Sequence, residues 1–305
     1  MGKVDRLEQA ALIALLQTQP NGLTWADITA DVLANGSALD VWHEHRPPAL
    51  FDEPGRPDAL TSAEASLRKW ESSGLTVLTI TDDRYPQRLR GIHQAPPLLF
   101  ARGGLVEDDP AVSIVGSRAA TNRGLRIAGD ISRALVSRGL TVIAGLANGV
   151  DTSAHRAALD AGGRTVAVLG TGINRNYPSE NHELQNEIGR RGLLLSQFWP
   201  DAPPQKHTFL MRNATMSGYG LATVVVEAGE NSGTRVQARM AVEHGRTVIL
   251  VGTVIDQNEW AKKLCGRPGV HRADDLQQVV ELALHASTTR LDVEDEIERV
   301  ASALK

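Results

Sequence analysis

From Ala111 onward the chain alternates short apolar, β-branched runs with segments of helical periodicity. The runs have the length of strands, and their near-continuous apolar character is typical of strands buried on both faces. Six strands are predicted over 112–115, 140–144, 165–169, 193–195, 222–227 and 247–251. Helices are predicted between them near 122–138, 152–161, 180–190, 208–217 and 233–244. This alternation predicts an α/β fold, with a parallel sheet covered by helices on both faces.

The residues before this region predict a helical unit and a lead-in. Residues 3–46 carry helical apolar spacing, and Thr24 followed by Asp27 is typical of a helix start. The Pro-rich stretch RPPALFDEPGRPDAL predicts a linker. Thr61-Ser-Ala-Glu64 has the pattern of a capping box that opens another helix. LTVLTI and PPLLFARG, further on, are predicted strands.

These patterns divide the chain into three regions. Residues 1–60 are predicted to form a small helical domain with its linker, and 61–255 the α/β domain, with 61–110 as its lead-in. Residues 256–305 predict a tail of two or three helices. Its last segment, RLDVEDEIERVASALK, is acidic and amphipathic. We expect a helix that packs on the sheet, with a partner-binding helix as the alternative.

The charge is distributed unevenly along the chain. The formal net charge is −4 over 305 residues, yet residues 110–255 contain 14 Arg and 1 Lys against 10 Asp plus Glu, which gives +5. The remaining residues therefore carry −9. Arginine offers a planar fork of donors that suits phosphate groups and stacks on bases. The Arg excess favours an anionic ligand, although genomic G+C bias is an equal alternative.

Composition narrows the class of protein further. Hydrophobic residues make up 42%, and no apolar run approaches the roughly 20 residues needed to span a membrane. The N-terminus lacks the basic start and cleavage site of a secretory signal. The single cysteine, Cys265, excludes an internal disulfide framework. We expect a protein of the cytoplasm with no membrane partner.

Glycine-rich turns follow five of the predicted strands. They contain Gly116-Ser117-Arg118, AGLANGVDTSAH, LGTGINRNYP, VEAGENSGT and Gly252-Thr253. Glycine allows the backbone to approach a ligand closely, and amide groups at helix starts attract anions. Because the carboxyl ends of parallel strands share one edge of the sheet, the series predicts an extended anion-binding rim. Neither G-x-G-x-x-G nor a Walker loop is present, so no cofactor is expected.

Other polar residues stand near the same edge. Lys206 and Arg212 flank a predicted helix start and favour ligand contact, with a surface charge cluster as the alternative. Asp151 and His155 are four residues apart on one helix, but no third ligand has a metal-site spacing, so no metal is expected. Glu227 ends a buried strand. It could act as an acid or base, but we favour an anchor for a loop or a ligand hydroxyl.

Several segments in order resemble the bacterial DNA-processing family DprA, also called Smf. They are SIVGSR, GLANGVDTSAHRAAL, GGRTVAVLGTGINRNYPSENHEL, FLMRNATMSG and VVVEAGENSGTRVQARMAVEHGRTV. The resemblance covers about residues 5–252. It implies an extended Rossmann-like fold preceded by a small SAM-like or helix-hairpin-helix-like domain. It also implies non-catalytic binding of single-stranded DNA, a homodimer, and delivery of a RecA-type recombinase onto incoming strands during transformation. Arg118 and the Lys206/Arg212 region would hold the DNA backbone.

The sequence departs from that family at several points. Ala214 stands where a second Arg is common, Gln197 follows Ser196 in place of Glu, and VGTVIDQNEWAKKLCG replaces the usual run after the last strand. No winged-helix pattern is present in the tail. A divergent role is therefore a further expectation, such as partnership with a cognate toxin in an anti-phage module.

Two other functions remain open at this stage. GENSGTRVQARMAVEHG is reminiscent of the loop of "lonely guy" phosphoribohydrolases, in which Glu227 or Glu230 would assist N-glycosidic cleavage. A nucleotide sensor is the second alternative. The residues predicted to contact phosphate or DNA are Gly116, Ser117, Arg118, Gly145, Asn148, Gly149, Asp151, His155, Gly170, Thr171, Gly172, Lys206, Arg212, Asn213, Glu227, Ser232, Gly233 and Thr234.

Overall fold

The computed structural model describes residues 5–45 and 58–288, in which nine strands form one sheet. The strands are β1 (Thr76–Thr79), β2 (Leu98–Gly103), β3 (Ala111–Gly116), β4 (Thr141–Ala144), β5 (Thr165–Val168), β6 (Leu193–Ser196), β7 (Ala222–Glu227), β8 (Thr247–Val251) and β9 (Val270–Ala273). Their order across the sheet is β1-β2-β6-β5-β4-β3-β7-β8-β9. Strands β3 to β9 are mutually parallel, whereas β2 pairs antiparallel with β6 and β1 antiparallel with β2.

Helices cover both faces of this sheet. They are α1 (Arg6–Thr18), α2 (Trp25–Asn35), α3 (Ala38–His45), α4 (Ala59–Ser72), α5 (Gln87–Arg90), α6 (Asn122–Val136), α7 (Val150–Asp160), α8 (His182–Arg191), α9 (Lys206–Tyr219), α10 (Gly233–Glu243), α11 (Gly252–Gln257), α12 (Glu259–Cys265) and α13 over 276–288. Thr24 and Asp27 cap the start of α2 reciprocally, as their spacing predicts.

Alternating side chains of the central strands feed two hydrophobic cores. Val112 and Ile114 of β3 pack with apolar residues of α6, α7 and α13. Ala111 and Val115, one position out of step, join the core on the opposite face, where α9, α10 and α12 lie. Because successive side chains in a strand point to opposite faces, both cores come from the same short apolar run.

An aromatic cluster joins the N-terminal helices to the sheet. The ring of Trp199, in the loop after β6, stacks on Trp70 of α4 with centroids 5.7 Å apart. Trp25 of α2 meets the same ring edge-on at 5.4 Å, and Phe100 of β2 lies 6.0 Å from it. Helix α1 contributes a fully buried row, including Leu12 and Leu15, to the same core. The helical unit is thereby packed against the sheet through one continuous apolar contact.

The α/β prediction is confirmed, and all six predicted strands agree with the structure to within one residue at each end. One correction concerns strand direction, since the sheet is mixed rather than wholly parallel. Strands β1 and β2 of the lead-in are joined by only 18 residues, 80–97. Because they run antiparallel, the chain between them does not have to cross back to the end of the sheet where β1 begins. An antiparallel pair needs only such a short connection. An apolar pattern carries no information on strand direction.

The tail and one cap also differ from prediction. Strand β9 pairs with β8, so the sheet continues beyond residue 255, and residues 256–288 are not purely helical. The run Val-His-Arg-Ala of β9 is too short and too polar to signal a strand. Helix α4 is capped by Asp58, whose carboxylate accepts the Thr61 amide, instead of by Thr61. Residues 46–57 of the predicted linker, which spans 46–60, lie outside the described residues, and its last two residues instead begin α4. The acidic segment beyond 288 also lies outside the described residues.

Candidate nucleic-acid interface

The loops after β3, β4 and β7 meet at the carboxyl edge of the sheet. Strand β3 lies at the centre and pairs with β4 on one side and β7 on the other. The chain runs outward from β3 in one direction through β4, β5 and β6, and then returns to the other side at β7. Parallel sheets bind ligands at such a reversal of strand order, just outside the carboxyl ends. Arg118 lies in the loop after β3 and is exposed at this point.

Arg118 rests on an aromatic pair. Its guanidinium carbon lies 5.7 Å from the centre of the Phe209 ring, a distance at which a cation is attracted to an aromatic face. The ring of Tyr177, in the loop after β5, lies 5.4 Å from that of Phe209 and is 41% exposed. Lys206, the first residue of α9, is exposed one helical turn before Phe209. Two cations and an accessible ring therefore stand together at the edge of the sheet.

Backbone contacts hold the loops of β3 and β4 against each other. The amide of Val150 donates to the carbonyl of Ser117 at 3.2 Å. Gly149 has a φ of 81°, and a Cβ atom there would overlap the carbonyls of Ser117 and Arg118. Only glycine fits both the positive φ and the close approach. Gly149 and Ser117 thus determine where Arg118 stands, while Asn148 beside them is exposed.

Glu227 anchors the start of α6. Its carboxylate accepts the amide of Thr121 at 3.0 Å and the Thr121 hydroxyl at 2.6 Å. Its carbonyl accepts the amide of Ser117 at 2.7 Å, and a Cβ atom on Gly124 would overlap its carboxylate. The anchor is therefore the interpretation that the geometry supports, because both carboxylate oxygens are engaged in holding the loop after β3.

Two buried groups of opposite charge, Asp151 and Arg212, lie beneath the loop after β4. Asp151 accepts the amides of Gly145 at 2.9 Å and Ala147 at 3.3 Å, and it lies beside the guanidinium of Arg212. Burial raises the pKa of Asp151, and the positive charge of Arg212 opposes that rise. Burial likewise lowers the pKa of Arg212, whose Nη1 donates to the carbonyl of Val168 at 3.2 Å. Leu146 in the same loop has a φ of 59°, a strained conformation that these contacts maintain.

Arg212 and Asp151 consequently differ from prediction. Arg212 is only 6% exposed and its guanidinium donates to the carbonyl of Val168 at the end of β5, so it is not placed to hold a DNA backbone from solvent. Asp151 is also only 6% exposed, and its carboxylate accepts amides of the loop after β4 instead of facing a ligand. The two side chains position the interface without reaching its surface.

His155 also belongs to the core. It is fully buried, and its Nδ1 lies 2.7 Å from the Thr165 hydroxyl. Burial lowers its pKa to about 3, so the imidazole is neutral at physiological pH. The prediction of a ligand contact at His155 is therefore corrected, because α7 turns this residue toward β4 and β5.

The Gly170-Thr171-Gly172 turn is buried as well. A Cβ atom on Gly170 would overlap the Phe209 ring, and one on Gly172 would overlap the carbonyls of Trp199 and Pro200. The carbonyl of Thr171 accepts the Ser196 hydroxyl at 2.7 Å. These residues let the loop after β5 pass beneath α9 and the loop after β6. They shape the edge instead of presenting amides to solvent.

The remaining predicted residues lie on either side of this centre. Ser232 caps α10, Gly233 is exposed with open space around it, and Thr234 is buried beneath them. Gly116 and Asn213 are half-buried. The predicted set therefore separates into an exposed surface around Arg118, Lys206, Asn148 and Gly233 and a supporting framework, in which Arg212, Asp151 and His155 are buried and Glu227 is half-buried.

Sequence reasoning missed the aromatic pair. Phe209 stands three residues after Lys206 on α9, which places the two side chains on one side of the helix. That spacing could have identified Phe209. Tyr177 carries no comparable signal, because it reaches Phe209 from another loop. No helix within the described residues has the length and apolar character to span a membrane.

Comparisons with known proteins connect this geometry to a family. The family model for DNA recombination-mediator protein A matches residues 76–279. DNA processing protein DprA of Streptococcus pneumoniae is 40% identical over 180 residues, which are 58% of this chain and 64% of that protein. The DprA of Bacillus subtilis is 34% identical over 193 residues, 62% of this chain and 65% of its own length. The matched part thus spans less than two thirds of these curated relatives.

Solved structures agree on the fold. The crystal structure of the Streptococcus pneumoniae protein superimposes with a TM-score of 0.69 and 30% identity, covering 92% of this chain and 98% of that one. A structure of DNA processing protein A from Helicobacter pylori, reported for its single-stranded DNA binding mode, gives a TM-score of 0.62 at 23% identity, covering 69% and 96%. The latter likeness shows the shared fold. With the family model matching two thirds of its length, this chain belongs to the DNA recombination-mediator protein A family, the DprA or Smf group of DNA-processing proteins.

Proposed function

We propose that the chain binds single-stranded DNA without catalysis, along the edge formed by the loops after β3, β4 and β5. The observation that carries the proposal is Arg118, an exposed guanidinium resting on Phe209 with Tyr177 behind it. A cation beside accessible aromatic rings serves both parts of a single strand, because phosphates pair with the cation and unstacked bases stack on rings. Lys206 adds a second phosphate contact on the same side.

Hydrolysis of nucleotides fits this edge less well. Glu227 is engaged with Thr121, and the carboxylate of Glu230 accepts the amide of Glu259 at 2.9 Å. A general acid or base must reach the substrate proton directly or through one water. Both carboxylate oxygens of Glu227 are engaged, and one oxygen of Glu230 is. The two glutamates of the phosphoribohydrolase-like segment therefore hold neighbouring parts of the chain in place, Glu227 at Thr121 and Glu230 at Glu259.

The decisive experiment is fluorescence anisotropy with oligo-dT, oligo-dA and a duplex of matched length at two salt concentrations. The proposal expects single strands to bind more tightly than duplex, and affinity to fall as salt rises because phosphate contacts release counterions. Equal affinity for duplex, or binding that ignores salt, would contradict it. Release of free base from nucleoside monophosphates would move the function to hydrolysis, and binding of mononucleotides alone would move it to sensing.

A homodimer is proposed as the working assembly. Leu210 and Met211 of α9 are 47% and 43% exposed, whereas Ala241 of α10 is fully buried and contributes no surface. Large apolar side chains exposed side by side favour an interface over solvent. Light scattering at micromolar concentration tests the dimer, and a stable monomer would refute it.

Delivery of the strand to a RecA-type recombinase, or partnership with a cognate toxin, is the further proposal for cellular role. It rests on family membership together with strand binding at the edge. The test is strand exchange by the recombinase on DNA already coated with a single-strand binding protein. Stimulation by the wild type but not by an Arg118→Ala variant would support delivery, whereas equal stimulation by both would exclude a role for this edge.

A further inference from the structure

The loop after β4 carries an exposed amide beside Arg118. Asn148 is exposed, and a Cβ atom on its neighbour Gly149 would stand 2.6 Å from the carbonyl oxygen of Arg118. On its other side, the Oδ1 of Asn148 accepts a hydrogen bond from Nδ2 of Asn181 at 3.4 Å. Asn181 follows Tyr177 by four residues, in the segment between β5 and α8. Asn148 therefore contacts the segment that carries the exposed ring and adjoins the loop that carries the cation.

Contacts among these loops form a closed circuit. It runs from Arg118 to Phe209 and Tyr177, then along the chain to Asn181, and through Asn148 back to the backbone of Arg118. Single strands bind to such surfaces through phosphates paired with cations and bases stacked on aromatic rings. A base that stacks on a ring lies flat against it and directs its polar edge sideways. The circuit thus encloses a phosphate site, a stacking ring and an exposed amide that can meet the edge of a base.

The hydrogen bonds of Asn181 determine which end of the Asn148 amide is available to a ligand. Asn181 is 3% exposed, and its Nδ2 donates to the carbonyl of Leu146 at 2.9 Å and to the Thr152 hydroxyl at 2.8 Å. Because a carbonyl only accepts, the atom of Asn181 in this position is its amino group. The atom of Asn148 that faces this amino group is therefore its carbonyl oxygen. Its Nδ2 points away and has no hydrogen-bond partner among the described residues.

An amino group held in this way distinguishes between bases. Thymine has a carbonyl oxygen at position 4, where cytosine has an amino group, and guanine and adenine differ in the same way at position 6. The Nδ2 of Asn148 can donate to the carbonyl oxygen of a keto base. Against an amino base it would face a second donor, and both groups would lose hydrogen bonds that they make with water. The oriented amide therefore favours thymine and guanine over cytosine and adenine.

We propose that Asn148 is a specificity-determining residue of the DNA site, which donates to the exocyclic carbonyl of a base and gives the protein a preference for keto bases. The inference rests on the proposed function, because the strand must already be held at Arg118. Phosphate contacts position a strand without reading its sequence, whereas contacts to base edges discriminate. Arg118 accordingly contributes affinity for every strand, and Asn148 contributes the difference between strands.

The test measures the ratio of the Kd for oligo-dC to the Kd for oligo-dU, by fluorescence anisotropy with strands of equal length. Uracil lacks the methyl group of thymine, so the two bases differ only at position 4 and the adjoining ring nitrogen. A slightly alkaline pH keeps cytosine unprotonated. The variants are Asn148→Ala and Asn148→Asp, whose carboxylate only accepts hydrogen bonds. Asn186→Ala is the matched control, because it removes an exposed asparagine from α8. Thermal unfolding verifies that each variant is folded.

The wild type and the control are expected to bind oligo-dU about threefold more tightly than oligo-dC, as one net hydrogen bond implies. Asn148→Ala should bring the ratio close to one. Asn148→Asp should reverse it, because a carboxylate accepts from the amino group of cytosine. Repulsion between the new charge and the phosphates weakens both strands and cancels in the ratio.

Three outcomes overturn the inference and leave the proposed function standing, provided that Arg118→Ala still weakens both strands. They are a wild-type ratio of one or less, a ratio that persists in Asn148→Ala, and a ratio that Asn148→Asp fails to reverse. Loss of the preference in the Asn186→Ala control also contradicts the inference, since the effect is then not specific to Asn148. A wild type that binds neither strand ends both proposals.

Discussion

The guanidinium of Arg212 fills the space that a side chain at position 145 would need. A Cβ atom on Gly145 would overlap Nη1 of Arg212, which donates to the carbonyl of Val168 and is attracted by the opposite charge of Asp151. The loop after β4 can therefore approach α9 only because residue 145 has no side chain. The contact between Gly145 and Arg212 thus joins the loop after β4 to helix α9, which follows β6 in the chain.

Gly145→Ala should accordingly destabilise the protein. Overpacking of a filled site costs about 1–3 kcal/mol, and burial together with the hydrogen bond to Val168 leaves the Arg212 guanidinium little freedom to move away. The midpoint of thermal unfolding should fall by several degrees, on the order of 2–4 °C per kcal/mol for a chain of this size. Gly233→Ala is the matched control, because a Cβ atom there meets open space. A Gly145→Ala protein as stable as that control would mean that Arg212 is not held as described.

Arg118→Ala should weaken single-strand binding and leave the fold intact. Hydrogen bonds to charged groups contribute about 1.5–3 kcal/mol, which corresponds to roughly ten- to a hundredfold in Kd. The weakening should be similar for oligo-dT and oligo-dA, and the salt dependence should become shallower by about one phosphate's share, since a phosphate contact carries no base preference. Thermal unfolding of the variant is measured alongside, with Arg156→Ala as an exposed control on α7. Unchanged affinity in a folded variant would exclude the proposed DNA path and favour nucleotide sensing.

Tyr177→Leu should weaken binding by about fivefold, because stacking of one base on an aromatic ring contributes on the order of 1 kcal/mol or more. Tyr177→Phe keeps the ring and should bind as the wild type does. The comparison isolates stacking from the hydroxyl group and from apolar bulk. Titration of oligo-dT monitored by anisotropy provides the measurement. If both variants bind equally well, Tyr177 does not contact bases.

Acidification should destabilise the protein through His155. Burial lowers the folded-state pKa to about 3, while the unfolded chain protonates near 6.5. Between pH 6.5 and about 3, His155 is therefore protonated in the unfolded state and neutral in the folded state. The stability contributed by the neutral imidazole is fully present above pH 6.5 and is lost as the pH falls toward 3, at about 1.4 kcal/mol per pH unit.

His244 contributes in the same direction, because burial and the neighbouring His93 lower its pKa to about 4. In a His155→Gln variant, the slope of the free energy of unfolding against pH should therefore decrease by the amount that uptake of one proton contributes. The part of the slope due to His244 should remain. Urea unfolding at a series of pH values between 7 and about 4 measures this slope. A variant with the slope of the wild type would show that His155 does not titrate between the folded and unfolded states.

Burial explains why the fold could be predicted better than the site. The strands β3, β7 and β8 are short β-branched runs that exclude water on both faces, and such runs signal themselves in the sequence. Arg118 and Arg212 are chemically identical in the sequence and have opposite environments in the structure, one on the surface and one in the core. Which side of α9 faces the loops depends on packing between segments far apart in the chain. The spacing of residues along α9 alone does not predict that orientation.

Glu227 and the glycines after β5 illustrate the same limit. The position of Glu227 at a strand end predicted an anchor, and its partner Thr121 lies more than a hundred residues earlier. Gly170 and Gly172 were expected to bind phosphate, yet they make room for Phe209 and for the loop after β6. Glycine permits close approach by a ligand or by the protein's own chain, and only the assembled fold distinguishes the two.

The contact between Arg118 and Phe209 has an entropic consequence. A free arginine side chain samples many rotamers, and fixing it costs up to about 2 kcal/mol of conformational entropy. Phe209 itself is backed by Gly170, so the ring is a firm support that restricts the guanidinium in the absence of any ligand. The Arg118 side chain is thus already partly ordered in the folded protein, so a bound DNA strand has less of its conformational entropy to remove.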